Sequence, residues 1–439
     1  MKLTSFAGAL LLGLFGILGA AAPPAAGAAA RTATPVELGF SAERLAAIDQ
    51  FYQQQVERGE MAGMVLLIAR HGRIVHHTAI GYTDLVSRKP LRTDALYRWY
   101  SMTKPITSTA LMQLYEQGKF QLKDPVSKYL PEFANAKVLR KADGPLTDTV
   151  PAEHPLTIQD TMRHTAGYTH GLGDDAYEKS YAEAGVFGVD VTLAEMMGKL
   201  AALPMRRQPG TAWEYSIGPD IQARLVEVLS GMPFDEYLQR HLFQPLKMKD
   251  AGFFAPPAAA ARLVPVSWMN QEHHLVPLDE EHGHPDGGFL LQPEYVNSYA
   301  MNHRRKGGSY GLVGTAEDYF RFAQAMANGG TLDGARILAP RTVDFMTRDH
   351  LGEIRMPTQD GTQSGMGFGL GFAVIRDPAL VGEMSSIGTY TWAGAAATHF
   401  WVDPKEDLVV VAMTQLMGAP AAQSLWTQLR ALVYSSLTK

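Results

Sequence analysis

The chain has 439 residues, 46% of them hydrophobic and 19% charged, a globular composition that excludes a disordered or fibrous chain. Lys+Arg 39 against Asp+Glu 44 gives a net charge of −5, so no basic excess draws it to a nucleic-acid backbone. Cysteine is absent, which excludes disulfides, zinc–thiolate sites, iron–sulfur clusters and a cysteine nucleophile.

Residues 1–30 read as a secretory signal peptide. Lys2 supplies the positive n-region and Leu10 to Leu18 (LLLGLFGIL) the apolar core. Ala20 to Ala30 offers several small-x-small cleavage sites. The core is shorter than the ~20 residues a spanning helix needs, and no other stretch approaches that length. The expectation is an exported chain, periplasmic or extracellular, with no membrane span once processed. Its remaining length of roughly 410 residues suits one large or two intimately joined domains.

Met61 to Ile80 places the apolar runs MVLLIA and IVHHTAI around Arg70-His71-Gly72-Arg73, which predicts a hairpin with a glycine turn. Tyr97 to Glu116 (YRWYSMTKPITSTALMQLYE) puts Ile106, Ala110, Leu111 and Leu114 on one helical face, ending at Gly118. Pro105 is tolerated only near a helix start, so this helix begins at about Ser101. Thr157 with Asp160 three residues on reads as a capping box. Asp220 to Leu229 has helical spacing and stops at Gly231; Pro256 to Ala261 reads as a surface loop. Thr315 opens another helix that runs to Asn328-Gly329-Gly330. Gly367 to Ile375 reads as one strand, and Ala395 to Val402 and Leu408 to Met413 as two more around the polar turn Asp403 to Asp407. Ala422 to Leu437 is a terminal helix. Strands at both ends with helices between predict one sheet closed by the two termini. The expected division is an α/β domain of 31–120 with 310–439, and a mainly helical domain with cleft loops over 121–309.

Ser101 and Lys104 are three apart, hence neighbours on one face of a helix. A serine hydroxyl is a weak nucleophile and needs an adjacent base, which a lysine can supply. A helix N-terminus also places amides near a developing oxyanion. Taken alone, S-x-x-K equally describes a solvated lysine beside a capping serine. Gly307-Gly308-Ser309-Tyr310-Gly311 fits the G-x-S-x-G nucleophile elbow, but that elbow follows a buried strand, and Asn302 to Lys306 is polar; it reads as a turn. His164 reads as a loop-holding residue. His273, His274, His282 and His284 cluster with Asp279, Glu280, Glu281 and Asp286 without a helical i, i+4 pair. An exposed polar loop that can line a cleft is expected there, not a metal site. Tyr168, Tyr177 and Trp213 are further candidates to line that cleft.

The string YSMTKPIT, followed by LYEQGKFQLKDPVSKYLPEF, resembles the serine β-lactamase and penicillin-recognising superfamily, nearest its class C-like members and the family VIII carboxylesterases. Further segments match in order: Leu156 to Tyr168 (LTIQDTMRHTAGY), Pro209 to Leu229 around Tyr215-Ser216-Ile217, Gly307 to Gly330, and Trp392-Ala393-Gly394. The resemblance implies a β-lactamase-like α/β fold, an antiparallel sheet from both termini plus an inserted all-helical domain. It implies Ser101 as the acylated nucleophile, Lys104 as its base partner and Tyr215 as the tyrosine that shares proton transfer. The amides of Ser101 and Ala395 match the oxyanion hole, and Trp392, Gly394, Ile217 and Tyr168 match substrate-binding positions.

Two departures bear on substrate. Trp392 stands where the family usually has a lysine, and Ile217 where Tyr-x-Asn has its asparagine. Losing a charged pairing and a hydrogen bond weakens discrimination for anionic β-lactams and peptides. An uncharged small or medium carboxylic ester fits instead, hydrolysed through an acyl-enzyme with no metal or organic cofactor. A β-lactamase, D,D-peptidase or amide hydrolase of the same fold is the rival. An inactive peptidoglycan-binding scaffold is the rival of another class.

Overall fold

The computed structural model describes residues 34–270, 274–278, 298–357, 364–418 and 421–438. The expected signal peptide, His273, His282, His284 and the acidic residues among them lie outside these.

His71 and Gly72 both adopt left-handed backbone, φ 53° and 69°, the pairing that a two-residue hairpin turn needs. They join β1 (Gly63–Arg70) to β2 (Arg73–Gly81), as the glycine turn predicts. The C-terminal part adds β3 (Met366–Phe368), β4 (Ala373–Ile375), β5 (Tyr390–Ala393), β6 (His399–Asp403) and β7 (Leu408–Met413). The sheet order is β3-β4-β5-β6-β7-β1-β2, and every neighbouring pair is antiparallel. Val65 faces Met413 across β1 and β7, so the two termini close one sheet. This is the mixed α/β architecture expected.

The longer helices are α1 (Ala42–Glu57), α2 (Thr103–Glu116), α3 (Gly218–Ser230), α4 (Ala316–Ala327) and α5 (Ala421–Ser435). Both faces of the sheet are covered, so β1 is apolar from Met64 to Ala69 instead of alternating. Met64, Leu66 and Ile68 pack in one core with Ile48 and Tyr52 of α1 and Leu429 and Val433 of α5. Val65 and Leu67 belong to a second core with Ile106 and Ala110 of α2 and Phe322 and Ala323 of α4. Helix α2 is buried from Thr103 to Leu114, which is why it lacks a charged face. Its hydroxyls are satisfied inside: Thr109 donates to the Pro105 carbonyl at 2.8 Å and Ser108 to Gln222 Oε1 at 2.7 Å. Among the described residues no helix is long and apolar enough to cross a membrane.

The caps follow the sequence. Thr157 with Asp160 and Thr315 with Asp318 form capping boxes, and α3 stops at Gly231 in left-handed backbone, φ 72°. Four expectations need correction. Gly367 to Ile375 is two strands, because the chain reverses between Gly369 and Phe372 (N···O 2.8 Å) with Gly371 at φ 96°. Ala395 to Val402 is strand only from His399. Residues 394–397 form a turn instead, with Ala397 at φ 56°. Pro256 to Ala261 lies on the surface as expected but is not irregular: Pro257–Arg262 is a short 3-10 turn whose Ala259 packs on Leu96 and Ala255. Finally, α2 opens at Thr103, and Ser101 sits one step earlier in a 3-10 turn over Tyr100–Met102.

Candidate active site

Tyr100 carries the strained residue of the site, with φ at 46° in left-handed backbone. That conformation costs a bulky residue about 1–2 kcal/mol and persists only where its surroundings fix it. Here Trp99 N donates to Leu312 O at 2.9 Å and Met102 N to Trp99 O at 3.0 Å, one on each side of the turn. The turn presents Ser101 at the N-terminal end of α2.

Ser101 Oγ lies 3.1 Å from Lys104 Nζ and 2.8 Å from the Tyr215 hydroxyl. Lys104 is 4% exposed. Its Nζ also donates to the Ser309 carbonyl at 2.8 Å and sits 4.7 Å from the centre of the Tyr215 ring. Serine has one proton, so only one of Lys104 and Tyr215 can take it, and that one must be in its basic form.

Tyr215 is held by His164 through backbone on both sides. Glu214 N donates to His164 O at 2.8 Å, and Ser216 N donates to His164 Nδ1 at 3.1 Å. The imidazole is fully buried, and burial first, then the Lys104 charge, holds its pKa well below the usual histidine range. A neutral ring leaves Nδ1 free to accept the Ser216 amide. It sits within a ring cluster, 4.9 Å from both Tyr215 and Phe368. His164 is therefore the loop holder expected.

Ser101, Lys104, Tyr215, Ile217, Leu172 and Ala395 line a small cavity with almost entirely apolar walls. Ser101 and Ala395 both face it. Among the described residues neither of their amides donates to a backbone acceptor across the turn, as an oxyanion site requires. Gly394 permits this approach. A Cβ there would fall 2.2 Å from Thr398 Oγ1 and 2.4 Å from Trp99 O. Gly394→Ala should therefore displace Ala395 and lower kcat by about 100-fold, the cost of roughly an ångström of misplacement. Steady-state kinetics with a melting curve on the same sample checks this.

Trp392 supports the wall from behind. Its ring packs 5.5 Å from Tyr215 and 5.3 Å from Phe368. Tyr168 does not belong to the site. It is fully buried, edge-on to Phe133 at 6.3 Å, because its position faces the helical core and not the cleft. Tyr177 is likewise buried, its hydroxyl on Pro204 O at 2.9 Å. Trp213 does border an open groove with Tyr215, Ile354 and Pro357. Sequence reasoning missed Ser309, Tyr310 and His170, which also line the cavity. The glycines around Ser309 signalled the turn, though not its closeness to Lys104. Among the described residues no group of histidines and carboxylates is arranged to hold a metal.

The antiparallel sheet, its covering helices and the Ser101–Lys104–Tyr215 cluster define a serine hydrolase of β-lactamase-like fold. The chain belongs to the Beta-lactamase family, whose model matches residues 48–434. It is 32% identical to Esterase EstB of Burkholderia gladioli, over 91% of this chain and 98% of that one. It is 27% identical to the lovastatin esterase of Penicillium rubens, over 84% of this chain and 92% of that one. Among solved structures it is similar to EstCE1, a hydrolase with promiscuous acyltransferase activity. The TM-score is 0.76 at 27% identity, covering 89% of this chain and 99% of that one.

Proposed function

We propose that this protein is an exported carboxylesterase that hydrolyses small or medium uncharged esters through an acyl-enzyme on Ser101. The observation that carries the reading is the Ser101 hydroxyl, within hydrogen-bond reach of Lys104 and Tyr215 and opening on an apolar cavity. Ser101 Oγ attacks the ester carbonyl as its proton passes to the Lys104–Tyr215 pair. The oxyanion turns to the Ser101 and Ala395 amides. The alcohol leaves with a proton returned by the pair. Water then repeats the sequence on the acyl-enzyme. The site lies between an α/β domain of 31–120 with 310–439 and the mainly helical residues 121–309, and residues 1–30 direct export.

Similarity to two esterases and to a hydrolase with promiscuous acyltransferase activity supports an ester substrate. So do Ile217 on the cavity wall and Trp392 behind it, which present no charge to a substrate carboxylate. The paired assay is a chromogenic short-chain ester against a chromogenic cephalosporin, on the processed protein. Expected is ester turnover exceeding cephalosporin turnover by at least about 100-fold in kcat/KM, the scale of a lost charge-assisted contact. Comparable cephalosporin turnover would hand the reading to a β-lactamase.

A further inference from the structure

The active-site lysine has an acceptor that the side chains of the motif do not supply. Lys104 Nζ is buried, so each of its N–H groups needs a partner. The resemblance leads one to look for an asparagine two residues after Tyr215, but Ile217 stands there and has no polar atom. The partner is the Ser309 main-chain carbonyl, 2.8 Å away. Residues 307–311 are neither helix nor strand, so no ladder of hydrogen bonds aims that carbonyl.

Asp220 does. It stands in the first turn of α3 and is wholly buried. Its Oδ1 accepts from Gly308 N at 2.9 Å and Ser309 N at 3.4 Å, the two amides that precede the Ser309 carbonyl. From the other side, Thr107 on α2 donates to the Gly308 carbonyl at 2.8 Å. Thr103 on the same helix accepts from Leu312 N at 3.3 Å. The segment is thus clamped between α3 and the helix that carries Lys104. The approach needs glycine: a Cβ on Gly308 would lie 2.0 Å from Pro219 O. Burying a carboxylate in a helix start is costly.

We propose that Asp220 is a positioning residue. It fixes the Gly308–Ser309 segment so that the Ser309 carbonyl takes one N–H of Lys104 and leaves the nitrogen directed at Ser101 Oγ. Asp220 touches no substrate and acts only through Lys104, so the proposal rests on Lys104 belonging to the base pair.

The test is a double-mutant cycle on the processed protein, with kcat and KM for a chromogenic short-chain ester. Asp220→Ala should lower kcat by about 10- to 100-fold, the range for a reacting group displaced by up to an ångström, and change KM less than about threefold. Asp220→Asn keeps an oxygen for the two amides and should recover most of that loss. In a Lys104→Ala background, Asp220→Ala should cost less than about threefold, since its target is gone. Full kcat in Asp220→Ala, or the same fall in both backgrounds, overturns the proposal alone. Full turnover in Lys104→Ala overturns the base assignment and the proposal together. Should Asp220→Ala not fold, Thr107→Val carries the test. A kcat loss of about three- to tenfold that disappears without Lys104 supports the clamp, and an equal loss in both backgrounds refutes it.

Discussion

Replacing Ser101 with alanine should lower ester turnover by about four orders of magnitude or more while leaving the fold intact. The size of the effect follows from what the hydroxyl does. It lies 3.1 Å from Lys104 Nζ and 2.8 Å from the Tyr215 oxygen, and it faces the cavity that Ala395 also lines. Alanine removes that one atom and adds no bulk. Lys104 keeps the Ser309 carbonyl, and Tyr215 keeps its ring contacts, so the midpoint of thermal unfolding should hardly move. Intact mass after mixing with a slowly released ester gives an independent reading. The unaltered protein should gain the acyl mass and the variant should not. Undiminished turnover in the variant would place the nucleophile elsewhere and undo the site.

The sequence announced those features whose cause is local. The β1–β2 turn needs only His71 and Gly72 in left-handed backbone, and the capping boxes at Thr157 and Thr315 need only residues three apart. Ser101 and Lys104 were readable for the same reason, since one helical turn brings them together. Tyr215 is 114 residues away from Ser101, and no spacing argument reaches it; only the resemblance of ordered motifs did.

What stayed hidden was long-range or carried by the main chain. The glycines from Gly367 to Gly371 looked like a strand because apolar residues alternate with them. Whether such a run extends or folds back depends on its partners, and Gly371 turns it. Tyr168 follows a motif that borders the cleft, yet its ring points to Phe133 in the core, and nothing in a single position tells the two directions apart. The Ser309 carbonyl was invisible because every residue has one. Its importance comes from Asp220, 89 residues away, and from the space that Gly308 leaves for the contact.

Lys104→Ala and Tyr215→Phe should each cost about 10²- to 10⁴-fold in kcat, and the double variant should be little worse than the poorer single one. Tyr215→Phe is the cleaner probe. The ring remains packed on His164 at 4.9 Å and beside Trp392 at 5.5 Å, so only the oxygen 2.8 Å from Ser101 is lost. Lys104→Ala removes more, because the Ser309 carbonyl also loses its donor and the Tyr215 ring its cation. Lys104→Met fills much of that space and separates packing from proton transfer. If one proton moves from Ser101 to a shared pair, breaking either member interrupts the same event, and the second loss adds little. Losses that multiply would mean two separate events, one group serving acylation and the other release of the alcohol or attack by water. Burst kinetics on the single variants decides between them: a variant blocked in acylation shows no burst, and one blocked in deacylation keeps it.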